Sequence, residues 1–183
     1  EALGKIKDSS LVKDIIQVSS HFRPSERRYT EIIISQIGLK TIPLLLSLIK
    51  DSSLHEQSRI LACKILAQLA LPQLRTNLKE IIDREIKRAY FYFYQAHTIQ
   101  KKYPFYDLSL LEDALITGFH SIRDFIIYLL GAAGSIEDCD LLVHTLHTNN
   151  PKAHAHVIET LEKHCEINIF RKIFPLLEND SPW

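Results

Sequence analysis

Methionine is missing altogether, even at the first position, which leads us to expect a piece of a longer protein. Glycine and proline are scarce as well, 5 and 7 in 183 residues, too few for a loop-rich or collagen-like chain. The three cysteines, Cys63, Cys139 and Cys165, stand far apart with no C-x-x-C pair. That excludes a disulfide framework and suits a reducing, cytoplasmic setting. No charged-then-apolar leader opens the chain, and its longest purely apolar or small stretch, Phe125 to Gly134, is too short to span a bilayer. Net charge is absent too, with 22 Lys+Arg against 22 Asp+Glu. Such balance argues against a surface that grips nucleic acid everywhere. There is no G-x-S-x-G, no H-E-x-x-H and no glycine-rich phosphate loop. An enzyme is therefore not expected, and neither is a cofactor or a bound metal.

What is present is apolar and helical. Hydrophobic residues make up 46% of the chain, enough for a core in a domain of this length. Apolar positions recur at spacings of three and four, and turn signals fall between them. Asp8-Ser9-Ser10 caps a first helix that runs to about Phe22, and Pro24-Ser25 opens a second that Gly38 closes. A third is expected over Leu39–Lys50. Asp51-Ser52-Ser53 caps a fourth, which ends at Leu71-Pro72. A long amphipathic stretch follows from Gln73 to Lys102, broken by Pro104. Later helices are expected over Ser109–Thr117, Ser121–Ala133, Ile136–Thr148, Pro151–His164 and Ile167–Glu178.

These segments repeat. Arg59, Ala62, Leu66 and Leu69 share their spacing with Arg123, Ile126, Leu130 and Ala133, and again with His154, Val157, Leu161 and His164. The register advances by 64 residues from Arg59 to Arg123 and by 31 from Arg123 to His154, multiples of about 32. Ile42-Pro43-Leu44-Leu45 leading to Asp51-Ser52-Ser53 is echoed by Phe174-Pro175-Leu176-Leu177 leading to Asp180-Ser181-Pro182. A helical hairpin cannot bury its apolar stripe alone, so such units stack. Proline and leucines in a first helix, Asp at the turn, then Arg-x-x-Ala-x-x-x-Leu in a second resemble HEAT repeats over residues 39–71 and 104–165. The resemblance implies an all-α, right-handed superhelix of about four to five hairpins in a single domain. It would comprise irregular helices over 1–38, a repeat over 39–71 and an irregular long helix over 72–103. Repeats over 104–134 and 136–165 and a half repeat over 166–183 would follow. In HEAT repeats the matching arginine commonly pairs with the turn aspartate, which makes Arg59, Arg123 and His154 framework residues. The run from Lys152 through Lys163 and the run Arg171 to Glu178 also resemble the HEAT segment appended to some bacterial nucleotide-transporter-like membrane proteins. That resemblance implies the cytosolic side of such a protein.

Three features remain as candidates for function. Lys+Arg number 17 against 10 Asp+Glu over residues 1–103, and 5 against 12 over 104–183, so neutrality cancels a basic half against an acidic one. The favoured reading of this split is solvated faces. Tyr90-Phe91-Tyr92-Phe93-Tyr94 follows Lys87-Arg88; five consecutive aromatics on a helix point all around it and cannot share one core. Five of the nine histidines, His144, His147, His154, His156 and His164, cluster late in the chain. His154 and His156 point about 200° apart on a helix, so the cluster reads as structural or surface histidine. The function expected is non-catalytic: a scaffolding or regulatory module that binds a protein partner or another domain of its own chain. Its contact residues are expected to be Arg84, Lys87, Arg88, Tyr92 and Lys101, where the repeat pattern breaks. The alternative is a HEAT-like DNA-binding protein or DNA glycosylase.

Overall fold

The computed structural model describes residues 10–148 and 150–178, and among them the fold is all-α. The helices are α1 (Ser10–Val18), α2 (Pro24–Ile37), α3 (Ile42–Lys50), α4 (Glu56–Lys102), α5 (Ser109–Ala132), α6 (Cys139–Leu146), α7 (Pro151–His164) and α8 (Ile167–Leu177). Single 3-10 turns at Ser19–His21 and Leu39–Thr41 precede α2 and α3. Asp8 and Ser9 of the first expected cap, and the Asp180-Ser181-Pro182 echo, lie outside the described residues. The chain divides into two compact units, residues 1–78 and 79–183.

In the first unit the local signals act where the residue chemistry demands. Pro24 takes the first position of α2, where its missing N–H costs nothing, and the Arg23 N–H donates to Glu26 Oε2 at 2.7 Å. Gly38 ends α2 at φ 84°, a conformation closed to most side chains. Helix α4 leaves helical geometry at Ala70 (φ −156°, ψ 60°), two residues before Pro72, whose ring and absent N–H disrupt the preceding turn. Val12, Ile16, Ile34, Leu45, Ile49, Ile65 and Leu66 form the core. Polar bonds between α2 and α4 flank it: Arg27 with Gln57, Gln68 with Glu31, and Ser35 with Gln68 at 2.9 Å.

In the second unit α5, α6, α7 and α8 pack each against the next. Lys172 of α8 reaches Asp83 of α4 at 2.5 Å. Phe125, Ile127, Leu129, Leu130, Leu161 and Ile173 are buried between them. Two glycines shape the α5–α6 corner. A Cβ on Gly131 would lie 1.9 Å from Cys139 Sγ, so the side-chain-free position admits the sulfur. Gly134 adopts φ 77°, and the Ser135 N–H closes the helix end onto the Leu130 carbonyl at 3.0 Å.

The break expected between Thr117 and Ser121 is absent: α5 is one continuous helix of 24 residues. Gly118 does not cap it. It sits mid-helix under Tyr92, whose Cε1 would be 2.9 Å from an added Cβ. Taken singly, α5 is the described helix long and apolar enough to cross a membrane, a length that the uninterrupted run from Phe125 to Gly134 conceals; 44% of its most apolar window is buried within the protein.

The register-equivalent positions behave in two ways. Arg59 is fully buried and donates from Nε and Nη2 to the Ile49 carbonyl at 3.0 and 2.8 Å, a charge-assisted cap on the last turn of α3. His154 bonds through Nε2 to the Thr148 carbonyl, just past α6, at 2.7 Å; since a carbonyl only accepts, Nε2 carries the proton. Arg123 lies inside unbroken α5, fully buried, with Nε 3.4 Å from Asp124 Oδ1. Asp51 accepts from the Ser53 hydroxyl and N–H at 2.7 and 2.9 Å. Those bonds, with the Lys13 and Arg59 charges beyond them, hold its carboxyl below the usual range.

Candidate interaction surface on the α4–α5 hairpin

The second half of α4 and helix α5 form an antiparallel hairpin. Tyr92 lies on Gly118, and the Phe93 ring meets Phe119 with centroids 5.4 Å apart. Glu85, Ala89 and Ala96 face inward and are buried. Lys87, Phe91, Tyr94, Thr98 and Lys101 follow at steps of four, three, four and three, which lines them along the opposite, solvent face. Phe91 is 59% and Tyr94 64% exposed. The stripe extends for about 20 Å at 1.5 Å per residue.

The expected contact residues separate across this geometry. Lys87 and Lys101 are exposed on the stripe. Arg84 borders it, and Arg84 and Arg88 turn towards Glu85, whose carboxylate is fully buried. Arg88 Nη1 meets Glu85 Oε2 at 2.5 Å, and Arg84 Nη2 lies 3.5 Å from Oε1. A buried carboxylate requires such partners, so these arginines are held by the fold. Tyr92, half-buried over Gly118, is a packing residue. The five positions do not form one patch.

The hairpin turn itself adds what the expected set omits. Helix α4 stops at Lys102, and Tyr103-Pro104-Phe105-Tyr106 makes a β-turn closed by the Tyr106 N–H onto the Tyr103 carbonyl at 3.2 Å. Proline at the second position suits this turn and puts Phe105 at its apex. Phe105 is 96% exposed, and Leu110, in the first turn of α5, 83%. Asp107 accepts from the Ser109 hydroxyl and N–H at 2.8 and 3.1 Å, which lowers its carboxyl below the usual range and fixes the start of α5. The signal was present in the letters, as aromatics around a proline between two helices.

No protein-family model, curated protein or solved structure matches this chain.

Elsewhere the polar clusters serve as struts. His147 Nε2 meets Asp124 Oδ2 at 2.7 Å and ties α6 to α5. The Tyr128 hydroxyl donates to Asp140 at 2.7 Å, and burial, then that carboxylate, push its pKa upward. Among the described residues no group of three or more His, Cys, Asp or Glu is placed to hold a metal ion. Burial pushes the Cys165 thiol up to about 11, so it is protonated and a poor nucleophile near neutral pH. A groove of about 510 Å³ between α6 and α7 is rimmed by Glu137, Asp138, Thr145, His156 and His164 over an apolar floor of Leu142 and Val157.

Proposed function

We propose that this chain is a non-catalytic interaction module of the HEAT-like, solenoid-forming kind, and that it meets its partner protein through the solvent face of α4. The observation that carries this reading is the stripe of Lys87, Phe91, Tyr94 and Lys101, where two large aromatics stand exposed between bases on a rigid helix. Exposed aromatics on a regular element are the usual anchors of protein interfaces. The HEAT-like assignment draws on the shared spacing after Arg59 and His154 and on the similar job each does, bonding a carbonyl at the end of the preceding helix. The resemblance to segments appended to nucleotide-transporter-like proteins would place the module on the cytosolic side of a membrane protein.

The test is site-specific photo-crosslinking in the source cells. A benzophenone side chain at Tyr94 is expected to trap a discrete second polypeptide, and one at exposed Glu159 of α7 to trap none. No adduct from Tyr94, or the same adducts from both, overturns the reading. Duplex DNA is the control for the alternative: binding with a steep salt dependence would favour the DNA-binding assignment.

A further inference from the structure

The hairpin tip carries a surface that the described residues leave bare. From His97 to Gly118 no described side chain is buried, although the segment is rich in apolar residues. Phe105, Leu110, Tyr106, Leu111 and Tyr103 are all exposed there. At typical side-chain areas these five expose on the order of 600 Å², the upper end of what a monomer shows in one patch. A stable interface takes about 800 Å² from each partner, so the tip with its half-buried neighbours Ile99 and Leu108 approaches what a dimer needs.

The charges on the tip decide between occupants. Lys101 and Lys102 end α4, while Glu112 and Asp113 stand in the first turns of α5, on the other arm of the hairpin. The side chains of Lys101, Glu112 and Asp113 have no ion pair among the described residues, and Lys102 lies 5.6 Å from the Tyr103 ring. An anionic bilayer would attract the lysines but repel Asp107, Glu112 and Asp113, and a partner of one charge sign meets the same conflict. A surface with bases on one arm and acids on the other complements itself under a two-fold rotation, because residue i then meets j while j meets i. We infer that the tip is an isologous contact between two copies of this chain. Phe105 and Leu110 of both copies pack at its centre, and Lys101 and Lys102 of each copy face Glu112 and Asp113 of the other. Two hairpins joined this way form a short four-helix arrangement. This inference goes beyond the partner-binding role of α4 and holds whether or not that role does.

The full chain, followed by light scattering over a concentration series, should approach twice its 21.1 kDa mass when concentrated and dissociate on dilution. Phe105→Asp with Leu110→Asp should remain monomeric with an unchanged circular dichroism spectrum, since neither side chain supports the fold. Lys101→Glu with Lys102→Glu, and Glu112→Lys with Asp113→Lys, should each weaken self-association by about tenfold or more. Mixed in equal amounts, the two charge variants should pair again. A mass of one chain at every concentration overturns the inference. So does a dimer that survives the double aspartate change, or a failure of the mixed charge variants to recover association.

Discussion

At the base of the α4–α5 hairpin, Phe125 and even the charged Glu85 are fully buried; at its tip, Phe105 is 96% exposed. Both ends are rich in aromatics, so composition does not separate them. Neighbours do. Helix α6 covers the base through Asp140 on Tyr128 and Cys139 on Gly131, His147 at its end meets Asp124, and α8 adds Lys172 on Asp83. Each of these contacts falls on residues 83–131 outside the 97–118 tip, which therefore keeps its apolar side chains in water. An aromatic residue of this hairpin is a core residue only where a neighbouring helix reaches it.

The sharpest test of that contrast is a matched pair of truncations. Phe125→Ala should cost about 3–5 kcal/mol in urea unfolding, because it opens a cavity in a closed core. Phe105→Ala should change stability by no more than about 0.5 kcal/mol when measured on the monomer. Comparable losses at the two sites would mean that the tip is covered and would sink the comparison. A second test asks whether the charged part of the base belongs to the fold. Arg88→Ala leaves the buried Glu85 carboxylate short of a partner and should cost about 2 kcal/mol. Adding Glu85→Gln to that variant should recover part of the loss, and the double-mutant cycle measures how much. If Arg88→Ala were silent, Arg88 would be available to a partner after all.

The smallest effect belongs to the tip. Asp107 is held below the ordinary 3.8 by the Ser109 hydroxyl and N–H. A carboxylate lowered in the folded state stabilises above its unfolded pKa, and that contribution is lost as pH falls below 3.8 towards the folded value. Carboxyl NMR titration should place the Asp107 midpoint below 3.8, and Ser109→Ala should move it back up. An unshifted midpoint in the parent chain would show that α5 starts without this turn.

Much of this fold is legible in the letters. Gly38, Asp51-Ser52-Ser53, Leu71-Pro72, Pro104 and Asn150-Pro151 each mark a helix end or a bend, because each restricts the backbone locally. The break expected between Thr117 and Ser121 is absent for a physical reason: a glycine that ends a helix and one that admits a neighbouring ring look alike in sequence, and the position of Tyr92 tells them apart. The contact residues were legible in part. Lys87 and Lys101 follow from helical spacing, whereas the retention of Arg84 and Arg88 depends on Glu85 being buried, which periodicity alone does not reveal. The exposure of Phe105 likewise depends on how far the neighbouring helices extend.

Arg59 and His154 do one job with different side chains, each giving an N–H to a carbonyl at the end of the helix before it. In the genetic code, arginine and histidine can be separated by a single transition in the second codon position. Since the carbonyl asks for a donor within reach and not for a particular residue, such a mutation can pass without breaking the bond. Helix ends held by interchangeable donors can drift faster in their letters than in their hydrogen bonds.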